Sequence, residues 1–341
     1  MYLGEYTNKR SNNLSFLKFI AALLVILCNA FPLSMGKQNT DFISQYTHGS
    51  MSFGSIAVGV FFISSGYLVT KSIMKHKSTK QYLIARIKRI FPPLIVTVLL
   101  SILILGFFAS NLSIISYFKN RQTWLYLLNM LLIPVHNLPG VFENNIYKSV
   151  VNGALWTLPV EFACYILLLI LYKTRLLERY TRVLITVLFI SYIGIFMVNI
   201  PIFIVLRNFI EPVYLFFIAS AMYIYKDKIK INQKYLYMFT MIFIILFILK
   251  KGHLANVICL PYIILYISFC LPQIHSKLAS LGNYSYGMYL IGFPTQQVIA
   301  MYIRGSHAIA MNFLTASIIA TIYGVFIYYC VDLNINKIKM Y

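Results

Sequence analysis

A cation and a carboxamide interrupt one long apolar stretch near the start of the chain. Between Asn12 and Leu33 the residues are mostly apolar, apart from Lys18 in the first half and Asn29 eleven positions on. At about 100° per residue that spacing returns to nearly the same helical face, roughly 16 Å further along the axis. Such groups inside hydrocarbon have to face protein, a water-filled cavity or the interface. Lys18 therefore suits an anionic group and Asn29 a hydroxyl, although a snorkelling amine and an interhelical hydrogen bond fit the same helix.

Glu161 is the first candidate for proton chemistry, read as the only carboxylate squarely inside an apolar span. Its alternative is a pairing role that holds helices together. Ser64, Ser65 and Gly66, within Phe61 to Tyr67, put two hydroxyls and a glycine near the middle of another span. They fit either close helix packing or a backbone opened to admit an acyl-thioester tail. Arg86 and Arg89, three residues apart, share a helical face. They serve as ordinary cytoplasmic anchors or as a clamp for the phosphates of a nucleotide-type cosubstrate. Trp156, just ahead of Glu161, and Tyr286 and Gln296, in a later run of aromatics, amides and helix breakers, are candidates for substrate binding. His48 and His136 are lone loop histidines, while His76, His253, His275 and His307 lie at loop or span ends with no paired constellation.

Only long apolar helices can position these groups. The chain has 341 residues, 60% hydrophobic and 11% charged, and no polar stretch long enough for a separate soluble domain. The reading is an all-α, polytopic integral membrane protein, with residues 1–341 as one domain. Apolar periodicity predicts about ten spans, near 14–33, 54–74, 88–108, 154–172, 182–200, 209–225, 235–250, 255–271, 280–303 and 308–331.

The net charge of +21 excludes nothing by itself, but the cations lie mainly between apolar runs, which argues against nucleic acid and for topology. With the N-terminus inside, twenty of the 29 Lys and Arg fall on the cytoplasmic side, beginning with Lys9 and Arg10, and eight on the outer side. Both termini are expected to be cytoplasmic. The longest connection, 109–153, then lies outside, and loops of that length are often functional. Five cysteines fall within or at the ends of spans without any CxxC pair, so neither zinc nor a disulfide framework is indicated.

Five segments in order resemble the acyltransferase-3 family of membrane acyltransferases: Leu17-Lys18-Phe19 through Asn29-Ala30-Phe31, Val60-Phe61-Phe62 through Ser65-Gly66-Tyr67, Arg86 through Pro92, Leu155 through Glu161, and Ser285-Tyr286 through Phe293-Pro294. The resemblance implies ten core helices. It also implies transfer of an acyl group, usually acetyl, from cytoplasmic acyl-CoA to a hydroxyl of an extracytoplasmic glycan or lipid-linked saccharide. Membrane lipid, acyl-CoA and glycan are the implied partners, and the bacterial cytoplasmic membrane the implied location.

The family pattern has an Arg and, eleven residues later, an essential His on the first helix, where this chain carries Lys18 and Asn29. Lysine keeps the charge but loses the bidentate fork. An amide orients a hydroxyl but does not take its proton near neutral pH, as imidazole does. Three readings follow: a transferase whose base is elsewhere, with Glu161 first and His48 or His136 next; a catalytically impaired homologue that binds or regulates; or a chain altered at that position. A transporter or flippase is the remaining alternative, and no inverted pair of broken helices supports it.

Overall fold

The computed structural model describes residues 2–7, 12–75, 78–197, 201–272, 274, 278, 280–305 and 307–337, with backbone only at 7, 178, 196–197, 201–205, 207–208 and 336–337. Lys9, Arg10, His76, Lys77, His275, Lys277 and Lys339, which enter the charge and histidine readings above, lie outside the described residues. Among the described residues the chain is helical, with only isolated two-residue bridges and no strands.

Helices stand at each of the ten expected positions: α1 Leu14–Met35, α2 Phe53–Lys75, α3 Thr79–Leu100, α4 Thr157–Lys173, α5 Thr181–Met197, α6 Pro201–Ile224, α7 Gln233–Ile248, α8 Gly252–Phe269, α9 Ser285–Tyr302 and α10 Ala308–Ile327. Six helical stretches among the described residues are long and apolar enough to cross a membrane: Leu14–Met35, Phe53–Lys75, Thr79–Phe108, Ala154–Lys173, Gly252–Phe269 and Ala308–Ile335. Two of them continue through a wide π-helical turn, Ser101–Leu105 after α3 and Tyr328–Asp332 after α10. The chain divides into two compact units that interleave in sequence, 1–21 with 42–83 and 160–282, and 22–41 with 84–159 and 283–341.

In the first unit α2 packs along α6. A side chain at Gly66 would collide with the backbone carbonyl of Phe216, so the glycine is what lets the two helices approach. Ser220 Oγ sits over the carbonyl oxygens of Phe216, at 2.9 Å, and Gly66, at 3.3 Å. Tyr67, fully buried one residue on, packs between the rings of Tyr223 and Phe269, each 5.2 Å away. The opened backbone considered for this stretch is not formed, because α2 runs unbroken from Phe53 to Lys75. At the start of α1, Asn13 Nδ2 donates to the carbonyls of Ile267, 3.2 Å, and Pro272, 3.1 Å, while its Oδ1 accepts from the Ile274 amide at 2.9 Å. One side chain thus satisfies backbone groups where α8 ends.

In the second unit the long connection is an ordered structure rather than a free loop. Ser113 and Asn120 cap two short helices, Ile114–Lys119 and Arg121–Leu125. In the first of them Tyr117 is fully buried, its hydroxyl donating to the Ile102 carbonyl in the π-helical turn at 3.0 Å. Burial pushes that phenol up to about 12, so it remains a proton donor. The end of the connection is stitched to α9. Asn145 Nδ2 donates to Gln297 Oε1 at 2.8 Å, and Gln297 Nε2 donates back to the carbonyls of Tyr147 and Val150 at 2.8 and 2.7 Å. Pro294 has no N–H to offer the carbonyl four residues earlier, that of Leu290. Asn152 Nδ2 supplies the missing donor at 2.8 Å.

Replacing Gly66 by alanine should lower stability by about 1–3 kcal/mol, because backbone lies where the methyl would go. The same change at Gly194, which has nothing within 4 Å of the added carbon, should be neutral or slightly stabilising. Thermal unfolding of both variants in detergent checks the pair, and equal melting temperatures would remove the role given to Gly66.

Candidate active site

The first unit assembles a polar cluster on α2 and α4. Ser65 Oγ donates to Glu161 Oε1 at 2.8 Å, and the hydroxyl of Tyr165, one turn further along α4, donates to the same oxygen. The two hydroxyls lie 3.4 Å apart. Tyr82 holds Tyr165 from behind by donating to its backbone carbonyl at 2.9 Å. Both donors converge on Oε1, and among the described residues no donor reaches Oε2, while Glu161 itself is half-buried. The carboxylate is therefore oriented with one oxygen held and, among the described residues, the other without a donor, an arrangement that suits a proton acceptor.

The other sequence candidates of this unit divide. Ser64 is fully buried with its hydroxyl unpartnered among the described residues, and Gly66 is taken up by packing on α6. Ser65 is the member of the trio whose side chain meets a carboxylate. Lys18 is half-buried on α1.

The second unit gathers two further sets. Gln296, fully buried on α9, donates from Nε2 to the Ile26 carbonyl at 2.7 Å and to Asn312 Oδ1 at 2.9 Å, and Asn312 Nδ2 returns a bond to the Gln296 carbonyl at 3.0 Å. This anchors α1 one turn before Asn29, which is half-buried. Beside Asn29, Cys28 Sγ donates to Asp41 Oδ2 at 3.4 Å. The second set surrounds Arg89, whose guanidinium lies over the ring of Tyr286, 5.1 Å from its centroid. Tyr286 in turn donates its hydroxyl to the Ile90 carbonyl at 2.9 Å. Tyr286, expected with the acceptor substrate, therefore stands with the arginine expected to bind the donor. Lys88 Nζ reaches the Ile335 carbonyl at 3.0 Å, and Arg86 is half-buried on the same helix. Trp156 closes the short turn Ala154–Trp156 that leads into α4, half-buried, next to Thr157, whose hydroxyl is 2.6 Å from that of Tyr289.

Two readings from the sequence are corrected. Glu161 is not the sole carboxylate in an apolar helix. Glu211 lies buried within α6, and Asp332 is buried in the π-helical turn after α10. Nor are all the span-end histidines unpaired, because His253 Nδ1 meets Glu211 Oε2 at 2.8 Å while Asn256 Nδ2 donates to Oε1 at 2.9 Å. The signal was present, since position 211 falls inside the sixth expected span, where a lone carboxylate demands a partner. That the partner stands 42 residues away on another helix is not written in any local pattern. Of the two loop histidines, His48 Nε2 is 2.8 Å from Lys250 Nζ, and His136 Nδ1 is 3.4 Å from the Asn152 carbonyl. Among the described residues no group of three or more His, Cys, Asp or Glu comes together as a metal site would require.

Comparison with known proteins follows the same line. The chain is 25% identical over 297 residues to an O-acetyl transferase of Shigella phage Sf6, covering 85% of this chain and 86% of that protein. It is 26% identical over 177 residues to nodulation protein 10 of Rhizobium leguminosarum bv. viciae, about half of each chain. No solved structure matches. The family described as an acyltransferase domain, acyltransferase-3, matches residues 11–330, and the chain therefore belongs to that family of acyltransferase enzymes.

Proposed function

We propose that this enzyme moves an acetyl group from acetyl-CoA at the cytoplasmic face of a bacterial cytoplasmic membrane to a hydroxyl of an extracytoplasmic glycan or lipid-linked saccharide. In this reading residues 1–341 form a single domain that crosses the membrane ten times, with both termini in the cytoplasm. The observation that carries it is the Ser65–Glu161–Tyr165 cluster, in a chain of this family and alongside a relative named for O-acetyl transfer.

The chemistry follows from the roles the groups suit. Arg86, Arg89 and Lys18 bind the phosphates of the donor, with Tyr286 backing the Arg89 guanidinium. Ser65 lines the path of the thioester arm, with Ser64 and Gly66 behind it. Asn29 orients the acceptor hydroxyl and Trp156 serves the acceptor side, with Gln296 serving it from behind by anchoring α1 one turn before Asn29. Glu161 takes the hydroxyl proton on Oε2 as the oxygen attacks the thioester carbonyl. The new C–O bond forms, the C–S bond breaks, and the thiolate of CoA leaves with the proton returned from Glu161.

A second reading, a catalytically impaired homologue that binds donor or glycan, is favoured by Asn29 alone, where the family carries histidine. The natural chain and an Asn29→His, Lys18→Arg form at equal membrane abundance separate the two. Comparable surface-glycan O-acetylation, read by NMR before and after mild alkali, is expected of both. Acetylation by the altered form only would establish impairment.

Glu161→Gln should reduce acetyl transfer at least about 100-fold with donor binding retained, the size of effect a lost general base produces. Full activity in that variant would move the base elsewhere. Arg89→Lys should raise KM for acetyl-CoA about tenfold with kcat nearly unchanged, because the ammonium keeps the charge but neither the fork nor the stack on Tyr286. Steady-state kinetics on the purified enzyme check both.

A further inference from the structure

The first unit holds a second polar site that the reaction above does not use. Glu211, 6% exposed, is held by His253 Nδ1 and Asn256 Nδ2, and Asn256 is fully buried with Nδ2 also 3.3 Å from Ser55 Oγ. Since Nδ2 faces the carboxylate, Oδ1 is fixed as the acceptor, and among the described residues nothing donates to it. A buried acceptor left without a donor costs about 1–3 kcal/mol, and the same Glu211 carboxylate holds the His253 ring in place.

Next to this cluster the segment 46–50 is stitched to the start of α8. Ser50 Oγ donates to the Lys250 carbonyl at 2.9 Å and accepts from the Gly252 amide at 3.0 Å. His48 and Lys250 both adopt left-handed backbone, φ 51° and 59°, and their side chains meet at 2.8 Å. At Lys250 this backbone ends α7, with the Lys250 and Lys251 amides donating to the carbonyls of Phe247 and Leu246 at 2.9 and 2.8 Å. Tyr46 stacks on Phe247 at 4.9 Å with 44% of its surface exposed, and the His253 side chain is 31% exposed.

We infer that Tyr46, His48, Lys250 and His253, above Glu211 and Asn256, form a subsite for the saccharide chain of the acceptor. Sugar hydroxyls donate and accept at once, which matches the imidazoles of His48 and His253 and the ammonium of Lys250, and the C–H face of a pyranose stacks on an exposed aromatic ring. Ser55 and Ser65 are ten residues apart on α2, about 15 Å along its axis, so a short run of sugar units would link this subsite to the hydroxyl facing Glu161. The inference rests on the acetyl-transfer reading for the ligand's class.

The test uses the full chain in lipid nanodiscs and, as probe, surface polysaccharide from the expressing cells stripped of acetyl groups by mild alkali. In Tyr46→Ala and His253→Gln, KM for the polysaccharide should rise about tenfold, with KM for acetyl-CoA and kcat unchanged. Binding of the same polysaccharide without acetyl-CoA should weaken in parallel. Unchanged polysaccharide KM and binding in both variants would overturn the subsite and make Tyr46 an interfacial anchor. Equal losses toward both substrates, with a lowered melting temperature, would overturn it in favour of a structural role. If the natural chain binds the polysaccharide but transfers nothing, and Tyr46→Ala abolishes binding, the acetyl-transfer reading fails and the subsite stands.

Discussion

A polar group enclosed by apolar helices has no water to turn to, and each unit of this protein is shaped by where such groups find partners. Glu161 draws Ser65 and Tyr165 onto one oxygen, which ties α2 to α4. Glu211 draws His253 and Asn256, which ties α6 to α8. The same rule governs backbone. Pro294 strands the Leu290 carbonyl, and Asn152 from the long connection answers it. A carboxylate or a freed carbonyl is thus a constraint that selects the neighbour of its helix, because an unmet partner in this environment costs more than most single packing contacts gain.

Apolar packing alone would leave helix order undecided, since one leucine-rich surface fits another about as well as the next. Small residues break that degeneracy. Gly66 admits the carbonyl of Phe216, and Gly287 admits the backbone of Gly324 while Gly324 admits the carbonyl of Tyr284, so α2 meets α6 and α9 meets α10 at one register. Polar pairing and small-residue contact act together, as in the first unit, where Ser65 and Gly66 are neighbours on α2 with opposite duties. One carries a hydroxyl to a carboxylate, while the other disappears into an interface. Treating the motif as one functional block conceals that division.

The long connection between α3 and α4 illustrates how a loop becomes part of a site's frame. Its short helices are capped by Ser113 and Asn120, and its far end is fastened to α9 through Asn145, Gln297 and Asn152. The residues that lead into α4, including Trp156, follow directly from this fastened segment, so their position is inherited from α9 rather than set by α4 alone.

Much was legible in the sequence. The helical class, the placing of apolar helices and the family follow from local facts: runs of apolar residues, breakers between them, and ordered motifs. Family membership needs only ordered motifs, which are linear. What the sequence could not decide were pairings. Glu211 and His253 are 42 residues apart, Gln296 and Ile26 are 270 apart, and Arg89 and Tyr286 come from α3 and α9. Whether Gly66 opens a backbone or closes an interface likewise depended on what lay opposite. One-dimensional pattern records which groups are costly to bury, because that cost belongs to the residue; who meets the cost belongs to the neighbour, and only the packed helices supply it.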